Sequence, residues 1–249
     1  MMETRSNRRT DVQKKTQRLS ATTEKRCAKS ITDGEFNLPA NADYFFSTYM
    51  ADRKLTQKGK DVTLKILEAA RSILVEKGYG SLTLREVART AGVRLSNLQY
   101  YYSTRERLIE DLLPLVFSIY HQRYNQISFS ETLSPREKLS TMAQYLLTNV
   151  REPSINKLFL ELWALSRRNE YVAKLLSGMY EKYCQRLEEI IAEVSPSMPA
   201  EKRKERGVLI AFLIEGIMVH VNITPLRKSQ SAAIDRECIK QIQQMAQWP

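Results

Sequence analysis

From Asp61 onward the register of apolar and polar positions is helical almost to the end of the chain. Val62, Ile66, Ala69, Ala70 and Ile73 recur at i, i+4, i+7, i+8 and i+11, which puts them on one face of a helix. Gly78 and Gly80 end it. Thr83 followed by Glu86 has the form of a capping box, so a second, short helix starts there with Leu84, Val87, Ala88 and Ala91 on its inner face. Gly92 breaks it, a third short helix covers about residues 94–101, and Ser103 with Glu106 reads as another capping box that opens a fourth. Further stripes follow: Leu139, Met142, Ala143, Leu146 and Val150, closed by Pro153; then Ile155, Leu158, Phe159 and Leu162. A long stripe carries Val172, Leu176, Met179, Tyr183, Leu187 and Ile190, and a last one Ile234, Cys238, Ile242 and Met245. Between them, residues 206–221 are apolar on almost all sides, which calls for burial all round. No hairpin turn joins alternating runs and no internal repeat is present, so the pattern predicts an all-α protein of about nine helices.

The first 57 residues differ. They hold eleven Lys or Arg against seven Asp or Glu, many Ser, Thr and Asn, and little helical periodicity before Phe36. This composition predicts a mostly disordered basic tail. An aromatic patch, Tyr44, Phe45, Phe46, Tyr49 and Met50, could dock on a folded part, and Met50 offers a second possible start.

Charge narrows the partners. The 249 residues carry 39 Lys and Arg against 28 Asp and Glu, a formal charge of +11, which suits a polyanion, either nucleic acid or an acidic membrane surface. Cys27, Cys184 and Cys238 are widely spaced and unpaired by motif, as expected in a reducing cytoplasm. No signal peptide stands at the start. The longest apolar run, 208–223, is shorter than a membrane span and is interrupted by Glu215, His220 and Asn222. There is no Gly-rich phosphate loop, no HExxH, no nucleophile elbow and no pairing of His with Ser or Cys, so no enzyme and no cofactor is expected. His121 and His220 lack metal-ligand spacing with the cysteines, so no metal is expected either.

The informative stretch is residues 83–102, TLREVARTAGVRLSNLQYYY: a short helix, a tight turn at Gly92 and Val93, and a second short helix. The small Ala88 lets the two helices approach, while Val93 and Leu98 point inward, so the second helix turns a polar face outward toward a major groove. Residues 61–108 resemble the DNA-binding domain of the TetR family of bacterial regulators. The likeness runs through ILEAARSILVEKGYGSLTLREVARTAGV and LSNLQYYYSTRERL, and extends more weakly to LFLELWALSRR and LIEGIMVHV. The chain departs from the family in Gln99 for a usual Tyr, in Tyr101 and Tyr102 for a His-Phe or similar pair, and in Arg105 for a usual Lys.

The resemblance implies a three-helix helix-turn-helix domain at 58–106 and a larger helical effector-binding and dimerisation domain at 107–249, after a basic extension at 1–57. By position Arg94, Leu95, Ser96, Asn97, Gln99 and Tyr100 lie on or near the groove face, where Leu95 would meet a thymine methyl and Asn97 or Gln99 would read adenine. Thr83, Arg85, Tyr100 and Arg105 are placed for phosphates. The apolar run at 208–221 and the amphipathic stretch at 232–247 suit a four-helix interface between two copies. Phe117, Tyr120, Met142, Tyr145, Phe159, Trp163, Tyr180 and Met218 could line an apolar effector pocket, although aromatics at helical spacing also make plain core. Glu161 and Glu215 interrupt apolar helices and could pair with a cationic ligand, or be capped or surface carboxylates. The function implied is a cytoplasmic, nucleoid-associated repressor, a homodimer on a palindromic double-stranded operator, released by an unidentified small molecule. The alternative is a TetR-like DNA-binding protein without an effector, serving chromosome organisation or cell division.

Overall fold

The computed structural model describes residues 42–221, 223 and 226–247. Residues 1–41, with most of the basic tail and Cys27, lie outside the described residues. The described part is helical, with no strand in it, as the periodicity requires. Its elements are α1 (Ala42–Tyr49), α2 (Gln57–Lys77), α3 (Leu84–Ala91), α4 (Leu95–Tyr101), α5 (Arg105–Ser128), α6 (Pro135–Arg151), α7 (Pro153–Ser166), α8 (Glu170–Val194), α9 (Ala200–His220) and α10 (Lys228–Met245). A 3-10 turn, Tyr79–Ser81, joins α2 to α3.

Side-chain caps set most helix starts. Thr56, Thr83, Thr104, Ser134, Glu152 and Asn169 each accept a backbone N–H three residues on, which satisfies a donor that the helix itself leaves orphaned. Two expectations change. The cap of α5 is Thr104, whose Oγ1 accepts from the Arg107 N–H at 3.2 Å, and not Ser103. A cap must sit in extended backbone directly before the first helical residue, and Thr104 does, at φ −135° and ψ 162°. At Thr83 the box is one-sided: Thr83 caps the Glu86 N–H at 3.2 Å, but the Glu86 carboxylate turns to Arg89 and Lys77, each at 2.6 Å. Those two cations, Arg89 first, hold Glu86 down to about 2.

Helix α8 is the centre of the larger bundle, with α5, α6, α7 and α9 packed around it and α10 closing against α6 and α9. Helices α2, α3 and α4 form a second group, which meets the bundle where α2 packs on α5 and α7. Helix α5 runs on through Pro114. Proline brings no N–H, so the Glu110 carbonyl one turn earlier loses its helical donor. The Tyr171 hydroxyl at the start of α8 lies 3.5 Å from that carbonyl and faces the gap.

The segment before α2 is less tail-like than its composition. Helix α1 packs on α5, with Phe45 fully buried and Phe46 and Met50 nearly so. Arg53 forks onto Asp111 of α5 at 2.6 and 3.3 Å and lies 5.8 Å from the centre of the Tyr102 ring. Residues 42–57 therefore belong to the folded part; the aromatic patch outweighs the polar composition because α5 offers it an apolar partner. Helix α9 departs from the pattern in the opposite sense. Gly207, Ile210, Ala211, Ile214 and Met218 face inward, but Phe212 is 69% exposed, Leu209 47% and Val219 40%. Within one chain, the all-round burial expected of this run is not reached.

Deleting a buried ring removes its transfer energy and leaves a cavity. Phe45→Ala is expected to lower the unfolding free energy by about 3 kcal/mol, measured by urea denaturation at fixed protein concentration. A change below about 0.5 kcal/mol would show that α1 contributes no stability.

Candidate DNA interface and aromatic cluster

The reader is built around one left-handed residue. Gly92 sits at φ +65° and ψ 32°, a conformation that costs any side-chain-bearing residue about 1 kcal/mol or more. It lets the Val93 N–H return to the Ala88 carbonyl at 3.0 Å and the Gly92 N–H to Arg89 at 3.3 Å, so α3 stops and the chain turns into α4. Leu98 and Tyr102, both fully buried, fix the inner side of α4. Its other side is open: Arg94, Ser96, Asn97, Gln99 and Tyr100 are exposed, Tyr100 to 83%. Thr83 and Arg85 of the preceding helix are exposed as well. Leu95 is half-buried, as is Val93, so these two lie at the edge of the open face rather than on it or beneath it.

Arg105 is also half-exposed, and it is held. Its guanidinium stacks over the Tyr79 ring at 4.3 Å and lies 3.5 Å from Glu106. Tyr79 is fixed in turn by Glu161, which interrupts an apolar helix and was open to a role as ligand partner or as a capped or surface carboxylate. Glu161 on α7 accepts the Tyr79 N–H at 3.1 Å. Gly78 allows this approach: it has φ +74°, and a Cβ there would stand 3.1 Å from the Glu161 carboxylate. Lys157, one turn before Glu161, reaches Glu76 of α2 at 3.6 Å. The carboxylate of Glu161 is thus a tie between α7 and the reader.

Of the eight proposed pocket residues, the six aromatic ones are linked ring to ring. Phe117 meets Phe159 at 6.3 Å between ring centres, and Phe159 meets Tyr120 edge-on at 5.6 Å. Tyr120 continues to Tyr124, which contacts Tyr145 at 6.0 Å and stacks on Tyr183 at 5.6 Å. Tyr183 adjoins Tyr180, whose hydroxyl accepts the Trp163 indole N–H at 2.9 Å. Six of the eight thus join one cluster with rings from α5, α6, α7 and α8. Met142 and Met218 are buried as well, and the Met218 carbonyl takes the Asn156 amide at 2.7 Å. Tyr124 and Tyr183 were missed, although Tyr120 with Tyr124 and Tyr180 with Tyr183 stand at the i, i+4 and i, i+3 spacings that share a helix face.

Glu215 of α9 borders this cluster and acts electrostatically on Tyr120, Tyr124, Tyr180, Tyr183 and Cys184. Burial pushes its carboxyl up to about 7, with the Tyr180 hydroxyl pulling the other way. Nearby, burial first and then Lys182 and Arg186 hold His121 down to about 4. Among the described residues no group of three or more His, Cys, Asp or Glu could hold a metal ion, and no helix is long and apolar enough to cross a membrane.

A short helix, a left-handed glycine turn and a second helix with an open polar face, set on a larger helical bundle, define a helix-turn-helix regulator. Residues 66–112 match the family model of bacterial regulatory proteins, tetR family, and residues 135–243 match that of the BetI-type transcriptional repressor C-terminal domain. An HTH-type transcriptional regulator from the dhlA 5′ region of Xanthobacter autotrophicus is 32% identical over 166 residues, which cover 63% of this chain and 78% of that one. The TetR-family regulator SCO4454 from Streptomyces coelicolor superposes with a TM-score of 0.63 at 15% identity, over 80% of this chain and 93% of its own. A transcriptional regulator from Saccharomonospora viridis, solved in complex with choline, superposes with a TM-score of 0.56 at 16% identity, over 75% and 93%. The chain belongs to the TetR family and is a DNA-binding transcription regulator.

Glu215 gives this site a pH signature. Folded, its carboxyl keeps the proton up to about 7; unfolded, only to the ordinary 4.5. The folded state binds more protons between those values, so Glu215 lowers stability as pH rises through that window. His121, depressed when folded, works in the opposite sense and cancels when two variants sharing it are compared. Relative to Glu215→Gln, the wild-type protein is expected to lose about 3 kcal/mol of unfolding free energy between pH 4.5 and 7, read from urea titrations. A pH-independent difference would show that Glu215 is solvated in the folded protein.

Proposed function

We propose that the chain is a repressor that binds a palindromic operator as a homodimer and is released when a small molecule occupies the aromatic cluster. In this reading residues 58–106 are the reader, residues 107–249 bind the effector and dimerise, and the protein works in the cytoplasm at the nucleoid. The observation that carries it is the open face of α4. Asn97 and Gln99 are unburied side chains of the kind that pair with adenine edges, flanked by Thr83, Arg85, Arg94, Tyr100 and Arg105 for phosphates. Arg105 reaches the backbone from a fixed platform, since Tyr79 beneath it removes much of its rotamer freedom.

The second element of the proposal rests on α9. Val208, Leu209, Phe212 and Val219 leave an apolar strip open on a monomer, and a second copy of the same strip would close it with twofold symmetry. Two recognition helices then meet successive major grooves about one helical turn apart. An effector that favours another spacing weakens operator binding by its difference in affinity for the two arrangements. Helix α7 offers the route: Phe159 and Trp163 line the cluster, while Lys157 and Glu161 on its other side hold α2 and the Tyr79 turn.

Selection from a random DNA pool is expected to return a palindrome, and fluorescence anisotropy then measures its affinity. Arg94→Ala, Gln99→Ala and Arg105→Ala combined should weaken binding on the order of a hundredfold, and Arg105→Ala alone should lower the salt slope by about one. Unchanged affinity in the triple variant would place the reader elsewhere.

The dimer is tested separately. Phe212→Asp puts a charge in the centre of the strip, and sedimentation of micromolar protein should shift from dimer to monomer with helical content kept. A variant that stays dimeric would remove α9 from the interface.

A further inference from the structure

Three buried oxygen atoms in and beside the aromatic cluster have no hydrogen-bond partner: the hydroxyls of Tyr120 and Tyr183 and Oε2 of Glu215. One such atom is a tolerable defect in a native protein, but each costs the full desolvation of its group. Three in and beside one cluster, on α5, α8 and α9, with Glu215 acting on both tyrosines, mark a missing partner. The geometry also fixes what Glu215 can do. An indole N–H only donates, so in the Trp163–Tyr180 bond at 2.9 Å the Tyr180 oxygen is the acceptor. Its own proton is left to point toward the Glu215 carboxylate, the group it acts upon. One side of the carboxylate is so provided for, and Oε2 on the other is sealed and bare.

Two cations approach the cluster, neither of them serving Glu215. Arg71 acts on the Tyr120 hydroxyl and is paired with Glu68 at 2.8 Å; Arg123 lies 5.8 Å over the Tyr145 ring. Among the described residues, burial and Tyr180 alone set the state of Glu215.

We propose that the effector is a protonated amine whose ammonium group donates to Oε2 of Glu215 and to the Tyr120 and Tyr183 hydroxyls, with its apolar part lying among the rings. This rests on the reading of the cluster as the effector site. Once ionised, the Glu215 carboxylate accepts and never donates, and it is held from water at a cost that only a positive charge offsets well. An R–NH3+ group brings that charge together with three donors, one for each bare oxygen. A trimethylammonium group brings the charge and no donor. An alcohol brings one donor and no charge, and a carboxylic acid anion is repelled. The ring faces add cation–π attraction for either kind of ammonium, so the unpaired oxygens are what separate the two.

The test uses the full-length protein without DNA, so it is independent of operator binding. Thermal shift and calorimetry compare matched sets on butyl, hexyl and 2-phenylethyl skeletons, each as primary amine, trimethylammonium salt, alcohol and carboxylate. On at least one skeleton the amine is expected to bind at least tenfold more tightly than its three counterparts. Glu215→Gln, which keeps the shape, should reduce amine affinity at least tenfold and leave alcohol binding unchanged, and Tyr120→Phe should cost a smaller factor. Preference for the trimethylammonium salt, the alcohol or the carboxylate overturns the proposal. So does amine binding that Glu215→Gln leaves intact, or the absence of amine binding on all three skeletons. Operator binding that survives such a result leaves the regulator reading standing without this ligand class.

Discussion

Helix α7 stands between the reader and the aromatic cluster, and the 3.1 Å bond from the Tyr79 N–H to Glu161 is what makes it a connection. Residues two apart on an α-helix point in nearly opposite directions, and residues four apart share a face. Lys157 and Glu161 form one such pair and hold Glu76 and the Tyr79 turn. Phe159 and Trp163 form another, on the reverse side, and contact Phe117, Tyr120 and Tyr180. Because the interior is close-packed, a change that moves the rings on one side moves the carboxylate on the other. Tyr79 carries Arg105 above it, so the same tie reaches the first residue of α5, directly after the recognition helix.

Polar atoms are distributed to the same purpose. Where the fold needs rigidity they are paired: Asn156 bridges the carbonyls of Val150 and Met218 at 3.1 and 2.7 Å, Arg151 holds Asp235 at 2.6 Å between α6 and α10, and Lys138 holds Glu193 at 2.7 Å. Near Pro114 the freed Glu110 carbonyl faces the hydroxyl of Tyr171. The cluster is the contrast, with Tyr120, Tyr183 and Glu215 each keeping a bare oxygen. A core optimised for stability alone would fill such positions with apolar side chains, which is often the more stable solution.

The reader and the helical stripes were legible because their signals are local. A glycine at a left-handed turn, small residues at a helix crossing and apolar positions at helical spacing act within a few residues of themselves. What was not legible depended on distant partners. The aromatic patch at 44–50 gave no sign of whether it docks, since its partner α5 begins more than fifty residues on. Glu161 and Glu215 look alike in sequence, each a carboxylate interrupting an apolar helix. They part only through tertiary neighbours, Tyr79 for one and Tyr180 for the other. Ser103 and Thr104 are adjacent hydroxyls, and backbone geometry alone chose between them.

The two properties proposed for α9 are not independent. Val208, Phe212, Glu215 and Val219 follow i, i+4, i+7 and i+11, a single stripe along the helix. Glu215 is half-buried as a residue while its Oε2 is already sealed from water, and its apolar neighbours on the stripe are open. Whatever covers those neighbours covers the remaining edge of Glu215 as well. Covering it deepens the desolvation that already raises the carboxyl to about 7, and so strengthens its demand for a positive charge. If two chains meet on this stripe and a cation binds beside Glu215, as proposed, the cation relieves that demand most when the stripe is covered, and ligand affinity and association favour one another through the same helix.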